Sequence, residues 1–483
     1  MTLPFASNEI LIAGRWQPGA GGETLPVEDP SSGAQLGRIA RGSVADIDAA
    51  VGAARAAVGG AWGALAAFER GRLLTAAGRL VRERATELAA LESLDVGKPL
   101  SQARSDVFAL ARYLEFYGGA ADKLHGTTIP YLGDFTVYTL REPHGVTGHI
   151  IPWNYPLQII GRSVGAALAT GNATVIKPAE EASLSALAFA RLMADAGIPP
   201  GAINVVTGLG PEAGAALAGH AGVDHVSFTG SVEAGSAVQA AAARHVAPVT
   251  LELGGKSPQL VFADADLEAA LPVLVRAGLQ NAGQTCSAGS RLLIERSIYT
   301  RVVDALAARY AALRAGPAAA DLDLGPLISA SQLARVRGYI DDARARGVPV
   351  IGQGTVAGDA PRGGHYLAPV LLGPVAPEDR LAQEEIFGPV QVVLPFDSEA
   401  QALALANGTP YGLVAGVWTR DAGRQHRLAR LLRAGQVFLN DYGAAGGVEL
   451  PFGGVGASGH GREKGMEALY GFTTVKTVAA RHR

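Results

Sequence analysis

Two periodicities alternate along the chain. Between residues 44 and 124, apolar positions recur at helical spacing with few breakers inside each run, which predicts a set of helices. Residues 8–40 read differently: short extended runs are punctuated by Gly14, Pro18, Asp29 and Pro30, which predicts strands and turns. Residues 127–143 alternate again, as in Phe135-Thr136-Val137-Tyr138-Thr139-Leu140, and predict a hairpin or a pair of strands. From there strand and helix repeat. Strands are predicted at 146–151, 173–177, 203–207 and 225–229, and helices at 161–169, 183–196, 212–219 and 232–243. That alternation implies an α/β fold with a mostly parallel sheet covered by helices on both faces. A second α/β block spans about 254–438, and 472–478 is one more short β-like run.

Composition narrows the class. A length of 483 residues exceeds one compact core, so two or three domains are expected. The chain is 48% hydrophobic and 18% charged with a net charge of −3, which points away from nucleic acid or an anionic membrane as the main partner. Apolar runs such as 164–169 are broken well short of the roughly 18 residues that a membrane span needs. No basic stretch followed by an apolar one opens the sequence, so a secretory signal is not expected. The single cysteine cannot form an intrachain disulfide, which suits a reducing, cytoplasmic compartment.

That cysteine, Cys286, lies among small and polar residues in Gln280-Asn281-Ala282-Gly283-Gln284-Thr285-Cys286-Ser287. It reads either as a thiol in a loop or at a helix start, where backbone N–H groups lower its pKa, or as a buried inert side chain. Glu252 ends an apolar run just before Gly254-Gly255, a position for a carboxylate facing a cleft or for a solvated strand-end charge. Asn154, in Pro152-Trp153-Asn154-Tyr155-Pro156, is either an amide held to donate to an oxyanion or an ordinary turn residue. Ser231 follows a predicted strand and opens a helix, as a phosphate contact or a plain N-cap would. The usual Gly-x-Gly-x-x-Gly fingerprint is missing; Gly208-Leu209-Gly210 with Gly214 is spaced one residue too long. No cluster has metal-ligand spacing, and His144, His149, His220, His225 and His245 are scattered and read as structural or exposed.

Taken in order, seven segments resemble the aldehyde dehydrogenase superfamily over essentially the whole chain. They are Pro152-Trp153-Asn154-Tyr155-Pro156, Lys177-Pro178-Ala179-Glu180, Phe228-Thr229-Gly230-Ser231, Glu252-Leu253-Gly254-Gly255-Lys256, Gly283-Gln284-Thr285-Cys286, Glu384-Glu385-Ile386-Phe387-Gly388-Pro389 and Pro451-Phe452-Gly453-Gly454. The resemblance implies a Rossmann-like NAD-binding domain (1–120 and 143–253), an α/β catalytic domain (254–445) and a small β oligomerisation element (121–142 and 446–483), in homodimers or homotetramers. It implies NAD, with NADP possible, and oxidation of a small-molecule aldehyde to a carboxylic acid. Cys286 resembles the nucleophile, Asn154 the oxyanion donor and Glu252 the base that activates water.

The cofactor positions carry over in the same way. Lys177 and Glu180 resemble the adenine-ribose contacts, and Ser231 the pyrophosphate contact. Gly230 and Gly235 match the family's own glycine pattern. Ile151, Trp153, Gly210 and Leu253 match further cofactor-lining positions, and Glu385 and Phe387 those that place the nicotinamide ribose and ring. Tyr155 matches an aromatic substrate-lining position. Arg162 stands where succinic semialdehyde dehydrogenases carry a carboxylate-binding arginine, although Gln280 occupies the position of their second arginine. Arg162 thus reads either as a ligand for an acid-bearing aldehyde or as a structural helix arginine. The alternatives are a CoA-acylating enzyme, against which Glu252 argues, and a non-enzymatic protein of the same fold, as some lens crystallins are.

Overall fold

Residues 5–482 are described by the computed structural model; residues 1–4 of the expected NAD-binding domain and residue 483 of the expected oligomerisation element lie outside the described residues. An eight-stranded sheet forms the first half. Its five central strands run parallel in the order Ile203–Val205, Ala173–Pro178, Val146–Ile151, His225–Thr229, Val249–Glu252. Val146–Ile151 and Ala173–Pro178 are buried at every position, the pattern of strands covered on both faces. The strand order turns back on itself between Val146–Ile151 and His225–Thr229. In open parallel sheets the crevice beyond the strand ends at such a switch point is where ligands bind.

The segments joining these strands are helices for local reasons. Ser43 and Asp46 cap the helix Val44–Val58 reciprocally. Pro156 opens the helix Pro156–Ala169, because a proline at the first helical position has no N–H to leave unsatisfied. This helix starts five residues before the periodicity predicted. The predicted helix at 212–219 is instead a π-turn Gly210–Gly214 leading into a short helix Ala215–Ala218.

A second sheet of seven strands orders Val350–Gln353, Val370–Leu372, Val390–Phe396, Arg291–Glu295, Pro258–Val261, Val414–Trp418 and Gln436–Leu439, parallel except at its first pair. Each large sheet organises its own apolar core. Thr473–Arg481 pairs antiparallel with Phe135–Pro143 through nine residue pairs, and Thr128–Ile129 completes a small third sheet. The segment before it behaves differently from its expected grouping: Gly459–His460 forms the edge of the first sheet, against Val249–Glu252. Among the described residues, no helix is long and apolar enough to cross a membrane.

The histidines are less scattered than their sequence positions suggest. The His144 and His225 rings stack at 5.2 Å, and Phe472 lies 4.9 Å from His225 and 5.6 Å from His149. Burial pushes His149 down to about 3, so this cluster is neutral packing around the root of the C-terminal strand. Asn172 anchors the same root. Its buried side chain donates to the carbonyls of Ala167 and Phe472 and accepts from the Gly145 N–H, at 2.9–3.2 Å. Asn172→Ala orphans these groups and should lower folding stability by about 2–4 kcal/mol, read as a shifted urea midpoint; an unchanged midpoint would show that the C-terminal strand is held elsewhere.

Candidate active site

The loops at the switch point converge with one loop of the second sheet. The 152–156 turn leaves the end of Val146–Ile151, and Asn154 is buried there. Its amide Nδ2 donates to the Gln284 carbonyl at 3.0 Å, which joins the turn to the cysteine loop and leaves one N–H free. The Tyr155 hydroxyl meets Thr285 Oγ1 at 2.7 Å, directly beside Cys286. Cys286 itself lies in a turn after Gln280–Gly283 and before the strand Arg291–Glu295, not at a helix start.

The expected lowering of the thiol pKa is therefore not found. Burial pushes Cys286 up to about 12, against the pull of Arg162 and one backbone N–H from Ser287. The residue keeps a partial opening to solvent. Gly254-Gly255 makes the approach possible: a Cβ on Gly255 would stand 2.5 Å from the Cys286 carbonyl, and one on Gly254 would collide with the Glu385 carboxylate.

Glu252 ends the last parallel strand of the first sheet. It is buried, not solvated, and neither carboxylate oxygen has a hydrogen-bond partner. Burial, then the charge of Glu463, pushes its pKa well above the carboxylate range, while Arg162 and Arg462 pull the other way. Arg162, on Pro156–Ala169, forms a buried ion pair with Glu463 and lies 4.8 Å from the Phe452 ring centroid. Ser227 donates to the other Glu463 oxygen at 3.2 Å. Arg162, expected at a substrate-carboxylate position, thus faces a carboxylate of the protein itself, while its Nη2 has no hydrogen-bond partner. Phe452, with Leu413, Val414, Phe438 and Tyr442, packs around Cys286 and gives the thiol an apolar, aromatic wall.

The positions read as cofactor contacts fall into three groups. Glu180 receives the Lys177 ammonium at 2.8 Å and the Gly210 N–H at 3.3 Å. Burial opposes its charge, but Lys177 outweighs that and holds Glu180 below the usual carboxylate range. Ser231 caps the helix Val232–Ala243 through the Ala234 N–H at 3.1 Å. In this group the Gly230 N–H bonds the Glu252 carbonyl at 3.1 Å, and a Cβ on Gly235 would press on Leu253 at 2.5 Å. In the third group, Glu385 accepts from the Gly255 N–H at 3.0 Å and is pushed up to about 7 by burial. Phe387, at φ 60°, meets Trp153 edge to face at 5.4 Å, beyond the end of the strand that closes with Ile151.

Sequence reasoning missed Glu463. It lies in Gly461-Arg462-Glu463-Lys464, which reads as a solvated charge run, yet it is wholly buried.

A doubly wound parallel sheet with a thiol, a carboxylate and an amide gathered at its switch point places the chain among the nucleotide-binding α/β proteins. It belongs to the aldehyde dehydrogenase family, whose profile matches residues 16–478. It is 45% identical to a hydroxyisobutyraldehyde dehydrogenase of Mycolicibacterium austroafricanum over 97% of this chain and 93% of that one. A solved chain from Burkholderia cenocepacia, provisionally named an aldehyde dehydrogenase, is 63% identical with a TM-score of 0.98, covering 98% of this chain and all of that one. The NAD+ complex of an aldehyde dehydrogenase from Bacillus cereus is 41% identical with a TM-score of 0.96, covering 99% and 97% of the two chains.

Because Cys286 is the only cysteine, its alkylation by iodoacetamide is read without background. A thiol at about 12 gains thiolate tenfold per pH unit below that value. In the absence of cofactor the alkylation rate should climb about tenfold per unit from pH 7 to 10; a plateau near pH 8 would mean that the thiol is activated at rest.

Proposed function

We propose that the chain oxidises a neutral aldehyde to its carboxylic acid with NAD, through a thiohemiacetal and then a thioester on Cys286. The observation that carries this reading is the partly open thiol set among an unpartnered carboxylate, Glu252, and a free amide N–H of Asn154. The Cys286 sulfur forms a bond to the aldehyde carbon, and its proton passes to a base for which the raised Glu252 carboxylate is suited. The Asn154 amide and the Cys286 backbone N–H stabilise the resulting alkoxide, each such donor being worth about 2.7–4 kcal/mol. Loss of hydride from that carbon leaves the thioester. Glu252, its first proton having passed to solvent, takes a proton from water, whose oxygen displaces the sulfur, and that proton goes to the departing thiolate as the acid is released.

The residues present fit a dinucleotide. The helix N-terminus at Ser231 offers N–H groups to a pyrophosphate, and Gly210 has open space where a side chain would stand. Glu180 and Lys177 would hold ribose hydroxyls, and Glu385 and Phe387 the nicotinamide end. When bound, NAD supplies the hydride acceptor. The ionised Glu180 repels a 2′-phosphate, which favours NAD over NADP. The apolar side chains Tyr131, Leu132, Tyr138, Leu140 and Val475, exposed on or beside the third sheet, support self-association as a homodimer or homotetramer.

Glu252→Gln tests the mechanism. It keeps size and polarity but removes the base, so steady turnover should fall about 10²- to 10⁴-fold behind an initial burst of NADH of about one equivalent per site. Normal steady turnover, or restoration by coenzyme A, would remove the hydrolytic assignment.

The substrate class follows from Arg162. With its charge taken by Glu463 and the thiol walled by Phe452, Phe438 and Tyr442, the pocket suits an uncharged aldehyde. The branched hydroxyaldehyde in the name of the Mycolicibacterium relative belongs to that class. On a panel with NAD and NADP, kcat/KM for neutral aldehydes should exceed that for acid-bearing ones of equal length by about tenfold or more. Arg162→Leu, which strands Glu463, should impair both alike. Selective loss on succinic semialdehyde would restore Arg162 as a carboxylate ligand.

A further inference from the structure

Against the 152–156 turn lies a second polar cluster that the reaction as written does not use. Residues 98, 102 and 106 recur every fourth position through the start of the helix Leu100–Ala120. Lys98 is wholly buried and ion-paired with Asp106, and Glu92 lies 3.5 Å from its Nζ. The same ammonium donates to the Asn154 carbonyl at 2.9 Å and stands 4.2 Å from the Tyr155 ring centroid. Its donors go to Asp106 and to one backbone oxygen of the turn, with Glu92 a nearby charge that accepts no hydrogen bond.

The neighbours of Lys98 tie the same elements. Asp106 also accepts from Gln158 Nε2 at 2.6 Å, on the helix that follows the turn. Gln102 Oε1 accepts from the Asn281 N–H at 2.9 Å, and Asn281 Nδ2 donates to the Asn154 carbonyl at 3.1 Å. The Asn154 carbonyl is therefore gripped from two sides, by Lys98 and by the cysteine loop, while its own amide reaches across to Gln284. A buried ion pair is a costly way to fill space, and an apolar side chain of similar volume is often as stable or more so. What an apolar side chain could not do here is hold the Asn154 carbonyl.

We propose that Lys98 is a positioning residue for aldehyde oxidation: by anchoring the Asn154 carbonyl and backing the Tyr155 ring, it fixes the direction in which the Asn154 amide points. This rests on the reading of Asn154 as the oxyanion donor. The test is a double-mutant cycle of Lys98→Met and Asn154→Ala, assayed for kcat, NAD affinity by quenching of Trp emission, and thermal unfolding. Lys98→Met alone should lower kcat by about 10- to 100-fold, part of the 10²–10³ expected for loss of the oxyanion donor itself, with NAD affinity nearly unchanged. In the Asn154→Ala background the same substitution should cost less than about threefold, because the group it positions is gone.

An equal factor in both backgrounds would overturn the proposal and leave Lys98 a structural cation. Near-normal kcat in Asn154→Ala alone would instead remove the oxyanion reading, and this proposal with it. Should Lys98→Met fail to fold, Lys98→Met with Asp106→Asn, which removes both charges, takes its place in the cycle. Recovery of full kcat in that pair would equally overturn the proposal, since charge balance rather than the grip on Asn154 would then be what matters.

Discussion

The chemistry of this site depends on desolvation more than on any single bond. Cys286 and Glu252 are set together in a place where ionisation is expensive, and burial pushes both pKa values upward. Arg162, the cation that acts on both, spends most of its field on Glu463. At rest the thiol therefore holds its proton. A base with a raised pKa takes a proton more readily than an ordinary carboxylate does, so the burial that keeps the thiol quiet also prepares Glu252 to receive its proton once an electrophilic carbon is at hand.

The fold achieves this burial by routing the chain across a seam. Glu252 is the last residue of a strand in the first sheet, and Pro258 begins a strand in the second. Between them Gly254-Gly255 passes close enough to the cysteine loop and to Glu385 that no side chain fits. The thiol enters from the neighbouring strand: Arg291–Glu295 pairs with Pro258–Val261, and Cys286 lies just before it. Base and nucleophile are thus carried by adjacent strand connections, and their proximity follows from sheet topology rather than from a long flexible loop.

How much of this could be read beforehand divides along physical lines. Elements with strong period or clear punctuation were legible: the helices of 44–124, the strands 146–151 and 225–229, and the helix 232–243 agree with the structure. Boundaries set by special backbone geometry were not, as the early start at Pro156 and the π-turn at Gly210 show. The short motifs carrying Asn154, Glu252 and Cys286 were visible because glycines and prolines surround them. Lys98 and Glu463 were not, because a charged residue beside other polar residues reads as solvated, and only tertiary packing makes it buried. The direction of the thiol's pKa was left open for the same reason. Local sequence shows which N–H groups are near a sulfur, but not how much protein surrounds it.

On each side of the 152–156 turn, cations and carboxylates meet out of water. On one side Lys98 faces Asp106 and Glu92; on the other Arg162 faces Glu463 and Glu252. In each cluster burial outweighs the pull of the neighbouring cations on one of the acids. Glu92 is pushed up to about 7 and Glu252 well above the carboxylate range, in both cases by burial first. A carboxyl whose folded pKa is raised contributes its stability fully below the unfolded value and loses it as pH climbs through the folded one. For Glu92 that loss falls between about 4.5 and 7. The thiol gains its nucleophilic form over a higher and wider range. Stability and reactivity thus respond to pH in opposite senses, and a more strongly ionised centre would come at the expense of the packing that holds Asn154, Glu252 and Cys286 together.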